Sequence, residues 1–100
     1  MKYVVTDEAD GVRVAPEGEL DMKVAPELRK VLHKAVAGGK RQLTMDLSRV
    51  SFIDSSGIAT IVEALKLLRK RQGTVKVVGS SSTIRDTFEI AGLTRILGIE

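Results

Sequence analysis

The sequence predicts a single α/β domain in which helices cover a mixed four- to five-stranded sheet. Its 100 residues are enough for one hydrophobic core and too few for two. Two β-branched runs at the start, residues 2–6 and 11–15, flank a turn that ends in Asp-Gly and therefore favour a β-hairpin. Helical and strand periodicities then alternate along the chain, which predicts parallel strands joined by right-handed crossovers.

The first helix is predicted after the segment 16–21. Its apolar face recurs at helical spacing and consists of Val24, Leu28, Val31, Leu32, Ala35 and Val36. Pro26 falls in the first turn, where the missing N–H is tolerated, and Gly38-Gly39 ends the helix.

The middle of the chain changes from a period of two to a helical period. Leu43, Met45 and Leu47 alternate with polar residues and predict a central strand. An amphipathic helix of about four to five turns follows. Its apolar face consists of Ile58, Ile61, Val62, Leu65 and Leu68.

The last third of the chain predicts a strand, a helix and an apolar tail. Valines at 75, 77 and 78 form the strand, and the serine-rich segment 80–83 is interpreted as a loop that supplies a helix N-cap. Ile84, Phe88 and Ala91 then recur at helical spacing up to Gly92. We expect residues 93–99 to dock on the core.

Composition favours a folded cytoplasmic protein. A hydrophobic fraction of 43% argues against disorder, and the absence of Cys excludes disulfides and thiolate catalysis. No run approaches the roughly 18–20 apolar residues that cross a bilayer, so no membrane insertion is expected. The net charge of +3 comes from dispersed Lys and Arg, and only three residues are aromatic, so we expect no direct nucleic-acid binding.

The run Asp54-Ser55-Ser56-Gly57 lies at the joint between the central strand region and the second helix. One interpretation is a plain helix N-cap made by the Asp or a Ser side chain. The other is a modification site, because the first turn of a helix has free N–H groups that favour an anion such as a phosphate on Ser55 or Ser56. The two interpretations are compatible, and the local pattern leaves both open.

Enzymatic chemistry is not expected from this sequence. A hydrolase using Ser55 would need His33, the only histidine, and that residue falls on the polar side of the first helix, where a solvated imidazole is expected. A single histidine also forms no His-rich metal cluster. We therefore predict no catalytic residue, no metal site and no cofactor.

Four motifs in order resemble the STAS domain family, which is shared by sulfate transporters and bacterial anti-sigma factor antagonists. They are Gly18-Glu19-Leu20-Asp21, Met45-Asp46-Leu47-Ser48, the loop from Phe52 to Ile58, and Ala91-Gly92-Leu93. The resemblance covers essentially the full length and implies one STAS domain over residues 1–100. Within the family, the chain most resembles the free-standing anti-sigma factor antagonists.

The resemblance implies a partner switch that regulates transcription. In that subgroup the serine after the Asp, here Ser55, is phosphorylated by the anti-sigma factor, an ATP-binding serine kinase. The unmodified antagonist binds this kinase and releases the sigma factor, and phosphorylation reverses the binding. The residues expected at the partner surface are Asp21, Asp54, Ser56, Gly57, Ile58 and Thr60.

Some alternatives stay open. Asp21 is interpreted equally well as an N-cap for the first helix, and the flank of the second helix near Thr60 and Glu63 is expected to be exposed. The sequence does not fix the oligomeric state, and a weak dimer stays open. The alternative function is a STAS scaffold subunit of a transporter ATPase or sensory complex that has no phosphate cycle.

Overall fold

The opening β-hairpin forms one edge of the sheet and extends further than its periodicity predicts. A computed structural model describes residues 2–100. Strand β1 (Lys2–Glu8) pairs antiparallel with β2 (Gly11–Leu20), and two residues connect them. The segment 16–21, expected to be a lead-in to the first helix, therefore belongs largely to β2.

The remaining elements alternate as the sequence predicts. In chain order they are α1 (Ala25–Val36), β3 (Gln42–Asp46), β4 (Val50–Ile53), α2 (Ser55–Arg69), β5 (Thr74–Val78), α3 (Ser82–Ile90) and β6 (Gly98–Ile99). Pro26 lies in the first turn of α1, as predicted. Both glycines that follow this helix adopt a positive φ, which explains why the helix ends there.

The sheet order is β1-β2-β3-β5-β6, and β4 pairs with the far end of β2. Every described pair except β1 with β2 is parallel. The mixed α/β class is confirmed, with six strands in residues 2–100 rather than four to five. The additional strands are β4 and β6, which have four and two residues and are too short to show a period.

The core lies between the sheet and the two helices α1 and α2, which pack against each other. Leu28 and Leu32 of α1 and Ile61 and Leu68 of α2 are fully buried. They meet core-facing strand residues that alternate with polar ones, namely Val12, Val14, Leu43, Met45, Val75 and Val77. This packing confirms the apolar faces predicted for both helices.

The far face of the sheet is lined by ion pairs. The pairs are Lys2 with Glu17, Arg13 with Glu8 and Asp46, Arg49 with Glu17, and Lys76 with Glu100. Hydrogen bonds from the side chain and backbone of Ser48 hold the pKa of Asp46 below its ordinary value. Acidic and basic side chains therefore balance on this face.

The C-terminal segment docks on the core, as expected. Ser81 caps α3, because its hydroxyl accepts a hydrogen bond of 3.2 Å from the Ile84 N–H. Leu97 is fully buried, and β6 extends the sheet beside β5. In the part of the chain that the structure covers, no helix has both the length and the apolar character that crossing a membrane requires.

Replacing the buried leucine of the tail tests this docking. Leu97→Ala should lower the free energy of unfolding by about 2–5 kcal/mol, because it removes a fully buried side chain and leaves a cavity. Ile96→Ala is the matched control, since Ile96 is 41% exposed, and we expect a loss of about 1 kcal/mol or less. Urea unfolding measures both; equal losses would contradict the docking of the tail.

Candidate functional site

Asp54 caps α2 and leaves Ser55 exposed at the first helical residue. Its Oδ1 accepts hydrogen bonds from the N–H groups of Ser56 at 2.8 Å and Gly57 at 3.1 Å. The N–H of Ile58 donates to the Asp54 carbonyl at 3.0 Å. The capping interpretation is thus confirmed, with the carboxylate and not a serine as the cap. The Ser55 hydroxyl has no capping task and faces solvent.

The second oxygen of the same carboxylate holds the turn before α1. Asp54 Oδ2 accepts from the Met22 N–H at 3.2 Å, and the Asp54 N–H donates to the Leu20 carbonyl at 3.2 Å. Asp21 lies between these two contacts, so the structure brings the Asp21 turn and the Ser55 loop together. This neighbourhood follows from the parallel pairing of β2 and β4, whose ends meet at one edge of the sheet.

Asp21 shapes its own turn. Its Oδ1 accepts from the N–H groups of Lys23 at 3.0 Å and Val24 at 3.2 Å, and its carbonyl accepts from the Ala25 N–H at 2.9 Å. The carboxylate therefore caps the turn that leads into α1, while the helix itself has no side-chain cap. The side chain is half-buried, and its role at a partner surface stays a prediction.

Gly57 allows the close contact between α2 and β2. A Cβ at this position would lie 2.5 Å from the Leu20 carbonyl oxygen and 2.9 Å from Ile53 Cγ1. Both distances are shorter than side chains tolerate, so the glycine is required for space rather than for an unusual φ. The residue is buried and fixes the position of the loop that carries Ser55.

Three of the predicted partner residues are buried. Gly57, Ile58 and Thr60 lie beneath the surface, whereas Asp54 and Ser56 are half-buried. The expectation of an exposed flank at Thr60 is wrong: it is 8% exposed, and its hydroxyl donates to the Ser56 carbonyl at 2.9 Å. Its helical position turns it toward α1, which the sequence of α2 alone does not reveal.

A groove between α1 and α2 extends from this edge and was not anticipated from the sequence. Its volume is about 680 Å³, and its lining consists of Met22, Ala25, Pro26, Arg29, Lys30, His33 and Thr60. Met22 is 72% exposed at the end near Asp54. The sequence signal for this groove is Met22, an apolar residue between Asp21 and Lys23 that lies off the predicted apolar face of the first helix.

Glu63 joins the two helices along this groove. Its Oε1 accepts from Arg29 Nε at 2.7 Å and lies 2.8 Å from His33 Nε2. The hydrogen bond from Arg29, and secondly that from His33, lowers the pKa of Glu63. An ionised carboxylate only accepts, so Nε2 of His33 carries a proton. His33 is thus half-exposed and engaged with Glu63 rather than simply solvated.

The loop offers a phosphate on Ser55 less support than the sequence suggested. The N–H groups of Ser56, Gly57 and Ile58 are already used by Asp54. A phosphate would therefore meet an occupied helix terminus and the negative charge of the adjacent carboxylate. The helix dipole would stabilise a phosphate on Ser55, whereas the Asp54 carboxylate would destabilise it.

The fold and this loop together define a class of domain. The family model described as STAS domain matches residues 3–100, and the chain belongs to that family. The assignment confirms the resemblance stated from the sequence motifs.

Individual relatives show which members of the family this chain is similar to. The chain is 33% identical over 93 residues to the anti-sigma-B factor antagonist of Listeria monocytogenes, covering 93% of this chain and 82% of that protein. It is 35% identical over 82 residues to the anti-sigma-B factor antagonist of Staphylococcus aureus, covering 82% and 76%. A crystal structure of an anti-sigma factor antagonist from Mycobacterium paratuberculosis superposes with a TM-score of 0.87 at 28% identity, covering 98% and 83%.

Adding a methyl group at Gly57 tests the tight contact with β2. Gly57→Ala should lower the free energy of unfolding by about 1–3 kcal/mol, because the clash with the Leu20 carbonyl outweighs the better helix propensity of Ala. Gly98→Ala is the matched control, since the nearest atom would lie at 3.7 Å. Denaturant unfolding compares them, and equal stability of the two variants would count against the contact.

The double role of Asp54 is tested by hydrogen exchange. In Asp54→Asn the amide oxygen still caps Ser56 and Gly57, but an NH2 group faces the Met22 N–H and cannot accept from it. We expect faster amide exchange at Met22 with little change at Ser56. Asp54→Ala should accelerate exchange at both sites and cost about 0.5–2 kcal/mol for the lost cap. Unchanged exchange at Met22 in both variants would refute the link.

Proposed function

We propose that this protein is an anti-sigma factor antagonist whose unmodified form binds an anti-sigma factor serine kinase through the loop around Ser55. One observation carries the proposal: the Ser55 hydroxyl is exposed at the start of α2, while Asp54 does the capping. A serine that the fold does not need at this position is free to act as a phosphate acceptor. The names of the relatives, anti-sigma-B factor antagonist, support the same role.

Phosphorylation of Ser55 would switch binding through charge. The phosphate brings a charge of about −1.5 to −2 next to the Asp54 carboxylate. In a partner interface both anions would lose water, and the N–H groups of the first turn are already engaged by Asp54. In the free protein the same phosphate stays hydrated. The modification therefore costs more in the complex than in the free protein, which weakens binding.

The proposal assigns no catalysis to this chain. Ser55 serves as a substrate hydroxyl, and a kinase supplies the nucleotide, the metal and the positioning of the reacting groups. His33, the sole imidazole, is engaged with Glu63 between the helices. Binding of the kinase by the unmodified form would release the sigma factor and permit transcription in the bacterial cytoplasm.

Phosphate mapping tests the proposal. We expect one phosphate on Ser55 after incubation with ATP and the anti-sigma factor kinase encoded in the same genome, and none in Ser55→Ala. Ser56→Ala is the matched control, because its hydroxyl caps nothing and its removal should leave modification intact. Intact mass followed by peptide mapping reads out each variant.

Binding measurements complete the test. Ser55→Ala should keep the affinity of the wild type for the kinase, whereas Ser55→Asp should lower it about tenfold or more because it places a second anion beside Asp54. Equal affinities of wild type and Ser55→Asp would contradict the switch. Stable binding without any phosphate on Ser55 would instead favour a scaffold that uses the same surface.

A further inference from the structure

The charge of this protein is divided between two parts of the fold. Residues 22–41 and 55–72, which comprise α1, α2 and their flanking turns, are here named the basic helical layer. They contain ten Lys and Arg and two Glu, a net charge of +8. The rest of the chain contains six Lys and Arg and eleven Asp and Glu, a net charge of −5. The overall net charge of +3 is the sum of these two opposite charges.

Most cations of the basic helical layer have no carboxylate partner. Within residues 2–100, its ion pairs are Arg29 with Glu63 and Lys40 with Asp7, and His33 is hydrogen-bonded to Glu63. Arg71 donates instead to the carbonyls of Val36 and Lys40. The remaining cations are exposed and lie beyond salt-bridge distance of any described carboxylate: Lys23, Lys30, Lys34, Arg41, Lys66, Arg69 and Lys70.

The layer adjoins the Ser55 loop. Met22 is bound to Asp54 through its N–H, and Lys23 follows it directly. Lys30 lines the groove between α1 and α2, which begins near Met22. Thr60 forms the α2 side of this groove. A protein that covers Ser55 and the groove would therefore lie against Lys30, a groove residue without a carboxylate partner, and close to Lys23 beside Met22.

We propose that the partner which binds the Ser55 loop presents an acidic surface to the basic helical layer, with Lys30 at the contact; this rests on the function proposed above. Unpaired exposed cations next to an apolar groove with a protruding Met22 resemble a protein interface with an apolar centre and a polar rim. The layer contains no aromatic residue for base stacking, and Met22 is its only large apolar side chain that is mainly exposed, which disfavours nucleic acid and membrane as occupants.

The experiment measures association kinetics with the anti-sigma factor kinase at several salt concentrations. Lys30→Glu should slow association about three- to tenfold at low salt, and the difference should shrink as salt screens the charges. Arg95→Glu is the matched control: it makes the same charge change at an exposed residue outside the layer, and we expect less than about a twofold effect. Thermal unfolding of both variants verifies that each is folded.

The outcomes separate the two proposals. If the wild type does not bind the kinase, the proposed function falls and this inference falls with it. If the wild type binds but Lys30→Glu and Arg95→Glu act equally, only the acidic partner surface is overturned. Duplex DNA and phosphatidylglycerol vesicles serve as the other probes. Lys30-dependent binding to either one, without Lys30-dependent association with the kinase, would also overturn it.

Discussion

The arrangement of the site depends on one carboxylate. Asp54 uses Oδ1 to cap α2 and Oδ2 to hold the Met22 N–H, so a single side chain fixes the start of one helix and the turn before the other. The two tasks together use both side-chain oxygens of Asp54 as acceptors, at the edge where β2 and β4 end. The cap is complete without Ser55, whose side chain is exposed at the first residue of α2.

The glycine three residues later imposes the matching steric constraint. The Leu20 carbonyl occupies the space of a Cβ at Gly57, so α2 and β2 approach more closely than any side chain would allow. The Gly57 contact and the Asp54 hydrogen bonds both join the start of α2 to the end of β2 and the turn that follows it. We expect a site held from both sides to keep its shape if Ser55 carried a phosphate. Under the proposed switch, the change in charge rather than a change in fold would then carry the signal.

The sequence was most informative where structure is local. The period change around residue 54, the Asp cap and the serine cap of α3 are set by neighbouring residues, and all were predictable. Strands β4 and β6 exist because longer strands offer them free edges, which no local pattern records. The burial of Thr60 requires α1 beside it, and the bond from Met22 to Asp54 joins residues 32 positions apart.

The pairing of charges is a second feature that the composition does not reveal. Composition gives only +3 and suggests a diffuse basic surface, but the sheet pairs its charges whereas the helices leave most cations without partners. Ion pairs on the sheet face contribute little to stability, and they leave little field there. The unpaired cations of α1 and α2 leave a positive potential on this side of the protein, which an acidic surface would complement on docking. The uneven pairing, more than the net charge, thus gives the molecule a side from which a partner would approach.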